Sequence, residues 1–145
     1  MYFVDREKIE ETLKFLEGQI SLFEKEEKWE TPIELAALER ITHIMIESIL
    51  DVGNAMIDGF IMRDPGSYDD IIDILDDEKV ITKEMSIGYK TIVKYRKILV
   101  QSYTDIDHKD VFTTFQEHLT LLKQFAPSVR DYLVKELGPV TAFKN

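Results

Sequence analysis

Arg96 is the residue of this 145-residue chain whose type and place most invite a chemical role. Counting back from Tyr103, the positions Leu99, Arg96, Ile92, Tyr89 and Met85 follow at steps of four, three, four, three and four, so all six share one stripe of a helix. The other five are apolar or aromatic. A guanidinium on such a stripe is costly unless it pairs with a carboxylate, snorkels to the surface, or faces a cleft or a second subunit. Facing a cleft or a subunit, it is a ready ligand for an anion. Between Thr82 and Gln101 stand Lys83, Lys90, Lys94, Arg96 and Lys97 against Glu84 alone, a local charge of +4 in a chain whose net charge is −10. The overall charge argues against general nucleic-acid binding, which rests on neutralising phosphates. The window is either a solvated lysine face or an anion patch beside Arg96. The expectation taken forward is an open cleft at Lys90–Lys97 and not a paired surface.

Other groups that could do chemistry are few. The histidines are His43, His108 and His118, and Glu39, His43 and Glu47 recur every fourth residue on one helix face. Such a face can bind metal, but di-iron bundles use paired Glu-x-x-His motifs, and none occurs here. Asp69, Asp70, Asp73, Asp76 and Asp77 invite a magnesium reading, since hard cations take carboxylate oxygens. A solvated acidic face, with Asp favoured at a helix start by the dipole, accounts for them without a metal. Cysteine is absent, which excludes disulfides and thiolate sites, and there is no Gly-rich phosphate loop, Gly-x-Ser-x-Gly or His-Glu-x-x-His. No metal site and no cofactor is expected.

The elements that must position Arg96 all read as helices. Ile9, Leu13, Leu16, Ile20 and Phe23 give the first helix, Asp5 to Lys28, one buried stripe. Thr31-Pro32 opens the second, with Thr31 as cap, Pro32 in the first turn and Glu34 completing a capping box. It runs to about Asp58, roughly 40 Å at 1.5 Å per residue. Leu38, Ile41, Met45, Val52 and Met56 form its stripe, and Ile44, Ile46, Ile49 and Ile57 widen it. A helix apolar over so much of its girth is either central to a monomer or shared with a second subunit. After the turn Asp64-Pro65-Gly66, Ser67 caps a short helix with Ile71, Ile72, Ile74 and Leu75 inward. Thr82 caps the helix that carries Arg96 and ends near Tyr103. Phe112, Phe115, Leu119, Leu122, Ala126, Val129 and Leu133 form the last pattern, which Pro127 is expected to kink or split. Gly138-Pro139 stops it, and a loose tail follows to Asn145.

No stretch alternates as a strand does. The fold class is therefore all-α, an antiparallel bundle of five to six helices in one domain spanning residues 1–145. The N-terminus lacks the apolar core of a signal peptide, and no apolar run is long enough to span a membrane, so a cytoplasmic protein is expected.

The segment Arg96, Lys97, Ile98, Leu99, Val100, Gln101, Ser102, Tyr103 also resembles a family signature. Arg-x-x-x-x-His-x-Tyr, usually set in Arg-Asn-x-x-Val-His-x-Tyr, marks the HepT toxins of the HEPN ribonuclease superfamily. Arginine, valine and tyrosine stand where that family has them, whereas Lys97 replaces the usual Asn and Gln101 the His. The resemblance covers nearly the whole chain, since the long second helix, the Asp64–Tyr68 turn, the Ile71-x-x-x-Leu75 segment with Val80-Ile81, and the motif helix come in the family's order. It implies an all-helical homodimer with the motifs of both subunits lining a cleft. It further implies a metal-independent endoribonuclease, neutralised by a minimal nucleotidyltransferase that in some systems adenylylates the motif tyrosine. Carried over by position, Arg96 contacts the scissile phosphate, Gln101 holds the acid/base place, Tyr103 is the modifiable hydroxyl, and Lys90, Lys94 and Lys97 bind RNA.

The chemistry of Gln101 conflicts with that assignment. Cleavage through the 2′-hydroxyl needs one proton removed from that oxygen and one given to the leaving 5′-oxygen, which histidine does because its pKa lies near working pH. A carboxamide only hydrogen-bonds. On an ideal helix Arg96 and Gln101 also point about 140° apart, and converge only at a frayed end or across a dimer. Two readings follow: a HepT-type ribonuclease that is active despite the substitution, with His108 as a possible stand-in, or an inactive dimeric binding module for RNA or a nucleotidyltransferase partner.

Overall fold

The computed structural model describes residues 2–139. The tail expected beyond Pro139 lies outside the described residues. The chain forms α1 (Arg6–Lys25), α2 (Pro32–Gly59), α3 (Tyr68–Asp77), α4 (Lys83–Val93), α5 (Tyr95–Gln101), α6 (His108–Glu117) and α7 (Leu119–Leu137), with no strand among the described residues. The all-α class is as expected. The five or six expected helices appear as seven segments because two of them are each interrupted at one residue, Lys94 and His118.

Local signals set the helix starts. The Asp5 side chain accepts from Lys8 N at 3.0 Å, Ser67 Oγ from Asp70 N at 3.1 Å, and Thr82 Oγ1 from Met85 N at 3.1 Å. At α2 the capping box is complete: Thr31 Oγ1 accepts from Glu34 N at 3.2 Å while Glu34 Oε1 accepts from Thr31 N at 2.9 Å. Each bond satisfies an amide that the first turn leaves without a helical partner.

The core forms around α2. Leu38, Ile41, Met45, Ile46, Ile49, Val52, Met56 and Ile57 are all buried within one chain, so the wide apolar girth of α2 is that of a central helix. Ile44 stays half-buried. The α1 stripe Ile9, Leu13, Leu16, Ile20 and Phe23 packs into the same core. Glycine permits two close approaches: a Cβ on Gly53 would stand 2.6 Å from Ile71 Cγ2, and one on Gly88 would stand 2.4 Å from Leu121 Cδ1. These let α3 and α7 seat tightly on α2 and α4. Trp29, in the α1–α2 connection, stacks on Phe23 with ring centroids 6.1 Å apart, and Phe23 stacks on Phe112 of α6 at 5.5 Å.

The last pattern forms two abutting helices, but they do not meet at Pro127, which lies inside α7. The break falls at His118, whose Nδ1–H donates to the Thr114 carbonyl at 2.7 Å. The Thr114 carbonyl also accepts from the His118 main-chain N–H at 3.1 Å, so ring and backbone together close the last turn of α6, while the missing amide of Pro127 removes only one helical bond.

Arg130 fastens α7 to α1 with four hydrogen bonds, to Glu10 at 2.9 and 2.7 Å and to Glu17 at 2.9 and 2.8 Å. Bidentate pairing of this kind is the strong form of a surface ion pair. The Arg130 hydrogen bond holds the Glu17 carboxyl below its ordinary value of 4.5. A depressed carboxyl contributes stability that is present above the ordinary value and lost as pH falls through the folded one. Arg130→Met is therefore expected to lower stability at neutral pH by about 1 kcal/mol, with a smaller difference at pH 3. Urea melts at the two pH values check this, and an equal difference at both would contradict it.

Candidate active site

Arg96 faces α2, not open solvent. Its Nε–H donates to Glu47 Oε1 at 2.5 Å, across 49 residues of sequence. This hydrogen bond raises the guanidinium above its already high pKa, so it stays charged. The carboxylate engages only the Nε edge. The two terminal nitrogens make no hydrogen bond among the described residues, and the side chain keeps 29% of its exposure. Its flat face lies over the Tyr68 ring, with Cζ 4.8 Å from the centroid, a cation–π contact with the first residue of α3. Arg96 is thus held on one edge and one face, and its two-nitrogen fork is left for a ligand.

The expected open cleft over Lys90–Lys97 is corrected accordingly. Lys90 pairs with Asp73 of α3, and Arg96 pairs with Glu47. Burying acidic helices against this basic segment brings carboxylates within reach, so the two inward cations are matched inside the chain. Lys94 and Lys97 are exposed and join no ion pair among the described residues. The aspartates of α3 are not simply solvated either. Arg63 binds Asp70 and Asp77, and Lys83 binds Asp76.

Gln101 is the last residue of α5 and is exposed. Tyr103 lies two residues past that helix and is 66% exposed, which corrects its place on the core stripe: the α-helical phase stops before reaching it. The other apolar stripe positions, Met85, Tyr89, Ile92 and Leu99, are buried. Tyr89 also donates its hydroxyl to the Leu121 carbonyl at 2.6 Å, which ties α4 to α7.

The histidines complete a polar seam along one face of α2. His43 Nε2 lies 3.4 Å from Glu47 Oε1, the oxygen that holds Arg96. One turn earlier, Glu39 Oε2 accepts from His108 Nε2 at 2.7 Å, which draws the first turn of α6 to α2. One turn later, packing around Asp51 and then the Glu47 charge raise the Asp51 carboxyl above its ordinary value. Glu39 and Glu47 each hold a cation or an imidazole of their own, and no group of three or more metal-ligating side chains exists among the described residues. Glu47 and Tyr68 are the site residues that the sequence did not single out for Arg96. The regular Glu39–His43–Glu47 spacing was the available signal for the first of them.

The fold is a helical bundle with a polar seam along its central helix. Residues 6–129 match the family model described as Ribonuclease HepT-like, and the chain belongs to that family. It is 54% identical over 144 residues, 99% of this chain and 100% of the relative, to "Putative RNase YutE" of Bacillus subtilis (strain 168). A solved structure of the B. subtilis protein, described as a cytosolic protein of unknown function, superposes with a TM-score of 0.95 at 54% identity over 99% of this chain and 100% of that one. More distant solved structures share the fold. A toxin–antitoxin structure with AMP-PNP gives a TM-score of 0.74 at 18% identity, covering 83% of this chain and 96% of that one. A tri-AMPylated Shewanella oneidensis HEPN toxin in complex with an MNT antitoxin gives 0.72 at 21%, covering 86% and 95%. No helix among the described residues is long and apolar enough to cross a membrane.

Proposed function

We propose that this protein is a slow, metal-independent endoribonuclease of the HepT type, cytoplasmic and homodimeric, paired with a minimal nucleotidyltransferase antitoxin. The observation that carries the reading is the Arg96 fork, fixed by Glu47 and Tyr68 with its terminal nitrogens unengaged, in a chain of this family. A guanidinium fork matches two oxygens of a phosphodiester in a bidentate pair. Lys94 and Lys97, exposed beside it, supply further phosphate contacts, and Lys90 joins them if RNA displaces Asp73. Tyr103, exposed past the end of α5, is accessible to a modifying partner. The exposed Ile87 and Val100 on the α4–α5 limb belong to the surface for a second copy, which leaves Tyr103 to the modifying partner.

Gln101 favours the second reading, a binding module that holds RNA without cutting it, because a carboxamide moves no proton. One experiment separates the two. Purified protein in excess chelator is incubated with single-stranded RNA and its mass is measured by sedimentation. The expected result is slow cleavage by a species of twice 17.0 kDa. RNA retention with no cleavage would favour the binding module, and a monomer would remove the dimer.

A further inference from the structure

We propose that His43 is the proton-transfer residue of this chain, occupying the role that Gln101 cannot fill. The proposal rests on the ribonuclease reading above. It starts from an oxygen atom held in common: Glu47 Oε1 takes both Arg96 Nε at 2.5 Å and His43 Nε2 at 3.4 Å. A phosphate seated on the Arg96 fork is therefore one carboxylate away from an imidazole. The His43 side chain retains 27% of its exposure, so a ligand can reach it. At 3.4 Å the ring is in charge contact with Glu47 without a hydrogen bond to it, and it makes no other hydrogen bond among the described residues, so its basic nitrogen is open to a substrate proton. Glu47 thus stands beside both the guanidinium that would hold the phosphate and the imidazole that would take the proton.

His108 is the weaker candidate. Its Nε2 is taken by Glu39, two helical turns along α2 from the carboxylate that holds Arg96. His118 is committed to the Thr114 carbonyl. The charged groups around His43 are Glu39 and Glu47 on its own helix, Arg96 from α5, and His108 from α6 by way of Glu39.

The step balances without a redox change. The basic ring nitrogen of His43 takes the proton of the ribose 2′-hydroxyl. The 2′-oxygen forms a bond to phosphorus as the bond from phosphorus to the 5′-oxygen breaks. The departing oxygen receives its proton from solvent or from the imidazolium, leaving a 2′,3′-cyclic phosphate and a 5′-hydroxyl. Arg96 carries the negative charge that builds on the phosphoryl oxygens.

The test uses the full chain and single-stranded RNA, with kcat and KM measured from pH 5 to 9 for the parent, His43→Gln and His118→Gln. His43→Gln keeps a donor toward Glu47 and removes the titrating ring. It should lower kcat by roughly 10²-fold or more, leave KM nearly unchanged and abolish the acidic limb of the pH profile. His118→Gln should match the parent. In the unaltered protein, the His43 ring resonances should shift on addition of 2′-O-methyl RNA, which binds but cannot be cut. Cleavage by His43→Gln with the parent's kcat and pH profile would overturn the proposal and leave the ribonuclease reading standing. A parent that cuts no RNA at any pH would overturn both. If His43→Gln fails to fold, the ring resonances decide: unmoved by the bound analogue, they overturn the assignment.

Discussion

Gln101→His is expected to raise RNA cleavage by roughly 10²-fold or more, the range of a positioned acid or base. The reaction needs a proton removed at one oxygen and a proton delivered at another. With His43 as the one proton carrier, the second transfer falls to solvent or to that same ring; an imidazole at position 101 supplies it separately. The substitution costs little structurally. Gln101 is exposed at the end of α5 and packs against nothing in the core, and such surface changes stay within about 0.5 kcal/mol. A helix C-terminus also favours a protonated imidazole, which helps it act as the acid. Single-turnover cleavage of a labelled RNA by the two proteins measures the effect. Equal rates would mean that position 101 does not reach the scissile phosphate in the working assembly.

The second large effect is a loss. Arg96→Ala is expected to lower cleavage by at least about 10²-fold, the cost of removing one preorganised donor from a developing oxyanion, in the parent and in Gln101→His alike. Arg96→Lys should rescue little. An ammonium can pair with Glu47 but cannot present a second and third donor in a fixed fork. Stability should change far less than activity, because Arg96 and Glu47 each keep 29% side-chain exposure and water can replace the lost partner. Cleavage that survives Arg96→Ala would move the phosphate site elsewhere, with Lys94 and Lys97 the nearest exposed cations.

The contrast between what the sequence disclosed and what it concealed follows the range of the interactions. Thr31, Ser67 and Thr82 were legible as caps because each bonds an amide three residues away. The α1 and α2 stripes were legible because burial imposes a period on the chain itself. The partner of Arg96 was not, since Glu47 is 49 residues distant and only packing of α5 on α2 chooses it among 28 acidic side chains. The same holds for the α3 aspartates: as a string they look solvated, and only the fold brings Arg63, Lys83 and Lys90 to them. The position of the junction between α6 and α7 has another cause: proline draws the eye as a helix breaker, while the extra bond from the His118 ring to the Thr114 carbonyl leaves no compositional sign. The family motif drew attention to the segment that carries Arg96, but its Gln101 departure leaves the proton carrier to be sought in space, and the proposed His43 lies on α2.

The aromatic stack at the α1–α2 connection gives the molecule a built-in optical gauge. Trp29 is the only tryptophan, so all indole emission comes from one place. That place touches Phe23 of α1, which in turn touches Phe112 of α6, four positions beyond His108. The fluorescence therefore registers whether α6 is seated against the first helix. Variants at Arg96, Gln101 and His43 all leave the chromophore itself unaltered. A wavelength shift in any of them reports a structural disturbance that has spread to this corner, and an unchanged spectrum lets a lost rate be assigned to chemistry.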